Sequence, residues 1–380
     1  MPDDSTLARL SDHLLNVDQF GAVGDGQTDD THAIQAAIDA ATAFSGQVYF
    51  PAGVYACSTI QLKPHVTLTG CATWTYWYYK GSVIKLIDPT ARCLFDATGA
   101  IGVVIDGLAL DGLGPEGQQL GSGIHGIMVD DTLPKQRPPW PFEDVVREDT
   151  LRIERSLIRN FSGDGVHLAG IWVFTIRHSM IANNLENGVY VHGYDGYILD
   201  CWLSANHKAG YGAYALNAAV TMTANRIEWN HAGGIIIAGG NHYNITGNYI
   251  DRSGGPGIWL YTNGAESCSQ FAITGNVLHR SGALWHERGE IANSHMVLDG
   301  CRGVVVTGNT MSVGQDDDQQ GVFTPAYGVT YTQLRHCIIR DNVLYEGALR
   351  QLIRDLGDNE ETSIIVRDNI GSLAKPETPE

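Results

Sequence analysis

The 380-residue chain predicts an all-β solenoid with one helix near its amino terminus, and three observations carry that reading. The pattern apolar, two residues, small-polar, one residue, apolar recurs nine times, from Ile153-Glu-Arg-Ser156-Leu-Ile158 to Val366-Arg-Asp-Asn369-Ile370, and its central residues step by 23, 22, 24, 23, 28, 33, 33 and 27. Eighteen of the 19 asparagines fall after residue 150, many of them in turns of that repeat. Finally, a chain this long with 43% hydrophobic residues is too large for one globular core, whereas a stack of coils never needs one.

At the amino terminus, Thr28-Asp-Asp-Thr31 supplies helix-capping side chains. Ala33, Ile34, Ala37, Ile38, Ala40 and Ala41 then form an apolar stripe at helical spacing that ends near Gly46. A helix here is expected to plug the open end of the solenoid, whose unpaired strand edges otherwise invite aggregation. Residues 1–46 are therefore the amino-terminal segment and capping helix, 47–372 the solenoid with an insertion at 261–293, and 373–380 a tail. The first strands fall in 47–60. Between copies of the main pattern lie turns beginning at Asn160, Asn183, Asn206, Asn230 or Ser253, each followed by a glycine and alternating residues such as Gly165-Val-His-Leu168, Gly188-Val-Tyr-Val191, Gly212-Ala-Tyr-Ala215 and Gly257-Ile-Trp-Leu260. An earlier copy is Gly126-Ile-Met-Val129. Two short strands in about 23 residues are too few for a βαβ unit, so each repeat is read as one coil. Stacked coils bring equivalent residues ~4.8 Å apart. Asparagines at one level can then pass amide hydrogen bonds up the stack, which makes most of them structural.

Charge and cysteine usage narrow the partners. Forty-two acidic against 24 basic residues give a net charge of −18, and only six of the bases are lysine, so neither nucleic acid nor an anionic membrane is an expected partner. No apolar run reaches the roughly 20 residues of a membrane span, and the first residues lack the pattern of a secretory leader. The seven cysteines (57, 71, 93, 201, 268, 301 and 337) show neither CxxC nor Cys/His metal spacing. They read as buried reduced thiols, which favours a cytoplasmic over a secreted location. No cofactor and no metal are expected.

Phe20-Gly-Ala-Val-Gly-Asp-Gly-Gln-Thr-Asp-Asp-Thr31, the Ala/Ile helix and Val48-Tyr-Phe-Pro-Ala-Gly-Val-Tyr55 together resemble the opening of the pectate-lyase-like superfamily. The resemblance implies a right-handed parallel β-helix, a single-stranded solenoid, and a glycan-active protein. That opening is shared by polygalacturonase-type glycosidases, lyases, epimerases, transglycosylating fructan enzymes and phage tailspikes, so it says far more about fold than about reaction. The Asn-Thr-Asp, Asp-Asp, Gly-His-Gly and Arg-Ile-Lys set of the polygalacturonase type does not occur here in order, and no residue roles transfer from it. The fructan-cyclising members imply a homotrimer as a further expectation.

Candidate chemistry follows from alternation. If Val166, Leu168, Val189, Val191, Ile235, Ile237, Ile258 and Leu260 point inward, then Met128, His167, Tyr190, Tyr214, Ile236 and Trp259 point outward, with Asp130, His192 and Tyr261 one alternation further on. An outer face of Tyr, Trp and His suits stacking on sugar rings, and equally suits covering a sheet beneath a loop or a subunit contact. Glu228 and Asp251 end the main pattern in successive coils, which stacks two carboxylates roughly 5 Å apart, near the separation of retaining glycosidases. Arg226 and Arg252 beside them offer the plainer reading of an ion-pair ladder. Asp164 in Gly163-Asp-Gly165 precedes His167, and Tyr190, His192 and Asp195 cluster one coil later, where a His/Tyr pair can abstract a sugar C5 proton. Asp in such a turn more often bonds its own backbone. His295 and Asp299 lie on a later alternating strand, after the insertion with Glu266, Trp285, His286, Glu287 and Glu290 that is expected to form a lid. Asp316-Asp-Asp318 reads as an exposed acidic loop rather than a calcium site.

The expectation is a carbohydrate-active enzyme cleaving a glycosidic bond in a neutral poly- or oligosaccharide, as a glycoside hydrolase or intramolecular transglycosylase. Glu228, Asp251, His192 and Asp299 are the catalytic candidates, and His167, Tyr190, Tyr214, Trp259 and Tyr261 the substrate-binding ones. A lyase or C5-epimerase using His192 and Tyr190, and a non-catalytic tailspike-like glycan binder, are the alternatives.

Overall fold

A computed structural model describes residues 14–114, 116–131, 149–264, 266–282, 290–315 and 325–375. Its elements are one α-helix, a few 3-10 turns and β-strands paired almost throughout in parallel. The chain divides into two compact units, residues 1–186 and 187–380. No helix among the described residues is long and apolar enough to cross a membrane.

Within each unit a coil contributes three strands, one more than the repeat suggested. In the first unit Val104–Asp106, Ala109–Asp111 and His125–Asp130 form the first, second and third faces of a coil. Leu151–Glu154, Leu157–Arg159 and the start of Val166–Arg177 stack on them in register. In the second unit Asn241–Thr246, Tyr249–Asp251 and Ile258–Tyr261 play the same parts. The extra strand arises because the recurring pattern is not one strand but a corner. Ile245-Thr-Gly-Asn248-Tyr-Ile250 carries Gly247 at φ 66°, and Asp341 and Asp368 hold the equivalent place at 56° and 58°. A left-handed residue there ends one strand and aims the next along a new face.

The corner asparagines do form a ladder. Asn276 Oδ1 accepts from the backbone N–H of Asn248 at 3.0 Å and from its side-chain amide at 2.9 Å. Asn276 Nδ2 in turn donates to Ile245 O and to Asn309 Oδ1, both at 2.9 Å. The pattern repeats from Asn225 through Asn342 to Asn369. Every polar atom of these buried amides is used, which is the condition for keeping them in an otherwise apolar interior. Inward aliphatic columns, such as Met222, Ile245, Ile273 and Val306, stack between the ladders.

Four expectations need correction. The first coil begins at Leu14–Asn16, which pairs with Gln47–Tyr49, so strands precede the helix. The helix, Thr31–Thr42, buries the predicted Ala33, Ile34, Ala37, Ile38 and Ala41, with Ala40 half-buried. Asp30 does not cap it by side chain, because its carboxylate accepts the Val23 and Gly24 N–H groups instead. Tyr214 stands two residues beyond its expected level: Tyr190 pairs with Gly212, and Gly212 with Ile236. The cause is Tyr211, which fills the inward slot held elsewhere by Val189 and Ile235. Its hydroxyl lies 2.9 Å from that of Tyr243, which donates to Asn217 Oδ1 at 2.6 Å, so the interior satisfies a phenol there. Finally, 261–293 is not one insertion, because Ser269–Thr274 and Val277–His279 inside it are regular strands of the stack. Trp285, His286, Glu287 and Asp316 to Asp318 lie outside the described residues.

All seven cysteines are free, and all but Cys71 are buried. The interior also holds His295. Ile258 pairs with Met296, which puts His295 at the level of Gly257, where a Cβ already meets Ile250 and Leu278. His295 is fully buried and neither ring nitrogen makes a hydrogen bond of normal geometry among the described residues, although the Gly347 backbone weakly favours its charged form. Burial, followed by the charge of His279, lowers its pKa from 6.5 to about 3. Above pH 6.5 the ring is neutral whether the chain is folded or not, and stability is independent of it. Below 6.5 the unfolded chain takes up a proton that the folded chain refuses until about pH 3, so stability falls through that window. His295→Leu should therefore lose less stability than wild type between pH 7 and 4 in denaturant titrations, and gain about 1–3 kcal/mol at pH 7 from removing unpaired buried nitrogens. Parallel pH profiles would contradict this account.

Candidate active site

In the first unit, His125-Gly-Ile-Met128 lies under Asp164-Gly-Val-His167, with Ile127 paired to Val166 and Met128 to His167. The register brings three titratable side chains together on the third face. His167 Nδ1 is 2.7 Å from Asp164 Oδ2, and His125 Nδ1 accepts the Asp164 backbone N–H at 2.9 Å. The two imidazoles stack with centroids 4.1 Å apart and planes at 29°. Asp164 is nearly buried, with its side chain 6% exposed, while His167 keeps 22% of its side chain in solvent. Burial first, then the neighbouring His167, lowers the His125 pKa to about 4, so His125 is uncharged near neutrality. The Asp164 carboxylate fixes the His167 proton on Nδ1 and leaves Nε2 as a basic atom, an oriented acid–base pair. The three residues also offer atoms that all lie within 4.8 Å of one another, a spacing usable by a divalent cation. Both Nδ1 atoms are already engaged with Asp164, however, that of His125 by the backbone N–H and that of His167 by the carboxylate. Nearby Asp130 is paired with Arg92.

His167 and Asp164 are both legible in the sequence, His167 as an outward sugar contact and Asp164 in the turn before it, and the structure joins their side chains. His125 was missed. Its signal was the earlier copy at Gly126: one residue back from that glycine stands His125, just as Asp164 stands one back from Gly165.

In the second unit the third face carries two outward columns. One contains Tyr190, Gly212, Ile236, Trp259 and Val297. In the next, Ala238 pairs with Tyr261 and Asp299 with Thr332. His192 is half-buried, two residues beyond Tyr190. Tyr190 and Tyr214 have centroids 6.2 Å apart, and Trp259 and Tyr261 5.5 Å. Tyr214 donates its hydroxyl to Asn187 Oδ1 at 3.0 Å. Tyr214, Trp259 and Tyr261 pack on a small apolar cluster of Ala209, Ala232, Ile236 and Ala292, so part of this aromatic area is covered. The Trp259 indole N–H has no acceptor among the described residues. Burial raises the Asp299 pKa.

Glu228 and Asp251 stack in register on the second face as expected, but inside a cage. Both are 0% exposed. Glu228 Oε2 accepts from Trp202 Nε1 at 2.9 Å and from Arg226 Nε at 2.6 Å. The Arg226 guanidinium lies over the Trp202 and Tyr249 rings at 5.3 and 5.2 Å. Asp251 is held by Arg280 through both oxygens, at 3.0 and 2.5 Å, and by Arg252 at 2.9 Å and Tyr249 at 3.2 Å. Each carboxylate has its own arginine, Glu228 with Arg226 and Asp251 with Arg280 and Arg252, so the stacked pair is built as a buried ion-pair ladder.

Residues 164–344 match the family described as right-handed β-helix region, and residues 14–81 match rhamnogalacturonase A/epimerase, pectate lyase-like. Mannuronan C5-epimerase AlgE2 of Azotobacter vinelandii is 31% identical over 279 residues, 68% of this chain and 24% of that protein. Alginate lyase 7 of the same organism is 45% identical over 82 residues, 19% of this chain and 9% of that one. The chain thus spans at most a quarter of the length of either relative. Among solved structures, the A-module of A. vinelandii mannuronan C5-epimerase AlgE6 superimposes with a TM-score of 0.65 at 20% identity, covering 95% of this chain and 100% of that one, a likeness of fold. The parallel three-faced coils, the corner ladders and both family matches agree: the chain belongs to the pectate-lyase-like superfamily of right-handed β-helices.

Proposed function

We propose that the chain is a polyuronate lyase whose base is His167, oriented by Asp164. The observation that carries this reading is the 2.7 Å contact between His167 Nδ1 and Asp164 Oδ2 on a side chain that solvent can reach. The caged pair Glu228 and Asp251, by contrast, offers a substrate no free approach. In a uronate the C5 proton is acidified by the adjacent carboxylate. His167 Nε2 takes that proton, the electron pair forms a C4–C5 double bond, the C4–O4 bond breaks, and the leaving oxygen receives the proton from the His167 imidazolium. Asp164 stabilises the imidazolium. His125, kept uncharged, adds no repulsion beside it.

Elimination is favoured over epimerisation because it needs only one residue to take the C5 proton and hand it on, which the single His167–Asp164 pair can do. Epimerisation needs a donor on the opposite side, which these three residues do not supply. The net charge of −18 is compatible with a uronate substrate, because its repulsion is screened beyond ~8 Å at physiological ionic strength. Similarity to a mannuronan C5-epimerase and an alginate lyase supports a uronate. Asp299 favours a second reading: a carboxyl with raised pKa on the aromatic face that carries Tyr261 is suited to protonating a glycosidic oxygen in a hydrolase. Incubation with alginate and polygalacturonate separates the two. Ultraviolet-absorbing unsaturated ends are expected, and new reducing ends without that absorbance would favour Asp299.

A further inference from the structure

The corner between the first and second faces usually takes two residues, as at 107–108 between Val104–Asp106 and Ala109–Asp111. Between Thr67–Thr69 and Ser82–Leu86 it takes twelve, 70–81, and these form an antiparallel hairpin in which Thr73 pairs with Lys80 and Trp74 with Tyr79. Five of the six residues 74–79 are aromatic. At the tip, Trp77 is 74% exposed and Tyr78 78% exposed.

This is a braced structure. At its foot, Gly81 at φ 94° passes so close to Cys71 that a Cβ would sit 2.2 Å from the Cys71 carbonyl oxygen. At its tip, Thr75 N donates to Tyr78 O at 2.7 Å and Tyr78 N to Thr75 Oγ1 at 3.1 Å. Tyr79 donates its hydroxyl to Asp111 at 2.5 Å, and the Arg159 guanidinium lies 5.5 Å over the Tyr79 ring while reaching Tyr76 O at 3.4 Å. Tyr79 and Arg159 brace the hairpin, and the Trp77 and Tyr78 rings are held out in water. Their exposure forgoes the stabilisation that burial gives large side chains, so the tip is a presentation device rather than a core element.

We infer that Trp77 and Tyr78 form an accessory binding subsite for a polysaccharide chain, on a different face from the His167 pair; this rests on the glycan reading of the chain. The composition selects that occupant. Residues 72–80 contain no Leu, Ile, Val, Met or Phe, so the exposed area is made of rings that each join a flat apolar face to a polar N–H or O–H. A sugar ring presents the complement, C–H groups on its face and hydroxyls at its edge.

The test is affinity electrophoresis of the full chain through gels containing alginate, polygalacturonate or mixed-linkage β-glucan, with initial rates on long and short substrate chains. Trp77→Ala/Tyr78→Ala should weaken retardation in at least one gel by roughly tenfold or more, and raise KM for long chains while leaving kcat and short substrates unchanged. Trp77→Phe/Tyr78→Phe should keep most of the binding. The inference is overturned if the alanine variant migrates like wild type in every gel, if wild type binds none of the three glycans, or if light scattering shows that the substitutions dissociate an oligomer. Retardation of wild type without turnover would instead count against the lyase reading and leave the subsite standing.

Discussion

His167→Asn should fold normally and lose 10²- to 10⁴-fold in kcat, the range contributed by a positioned general base. Asn keeps an N–H where Nδ1 stood, so the contact to Asp164 survives, and it removes only Nε2. The same variant should show an unchanged KM and a denaturation midpoint close to that of wild type. Asp164→Asn should also be impaired, because an amide can no longer fix the His167 tautomer or stabilise its charged form. Full activity in His167→Asn would remove His167 from the chemistry.

The second large effect concerns stability. Asp251→Asn removes one charge from a cluster in which the Arg280 and Arg252 side chains are only 13% and 10% exposed. Two poorly hydrated guanidinium groups then face a neutral amide, and breaking such a pair costs about 3–5 kcal/mol. Urea titration should register that loss, while activity per folded molecule stays near wild type. Glu228→Gln should likewise retain activity. A stable Asp251→Asn protein without turnover would restore the paired carboxylates as the catalytic centre.

These two predictions mark where sequence reading succeeded and where it stopped. Coil register was legible because period and alternation are one-dimensional: the stacking of Glu228 on Asp251, the Asn ladder and the outward placement of His167 all follow from counting. Environment was not. That Glu228 and Asp251 are caged depends on Trp202, Arg226, Tyr249 and Arg280, drawn from four coils and folded over the carboxylates by rotamer and cation–π geometry that spacing does not encode. Tyr211 misled the alignment because a buried phenol is hard to foresee until Tyr243 and Asn217 are seen to satisfy it. The third strand of each coil was hidden by the corner at Gly247 and its equivalents, since a single left-handed residue inside an apolar pattern leaves its periodicity almost intact.

The most direct measurement is proton NMR of the products formed from alginate and polygalacturonate in D₂O. Elimination at His167 predicts new signals from 4,5-unsaturated ends, no deuterium on C5 of saturated residues, and neither signal class in His167→Asn. Deuterium incorporated at C5, or saturated reducing ends that persist in His167→Asn, would contradict it.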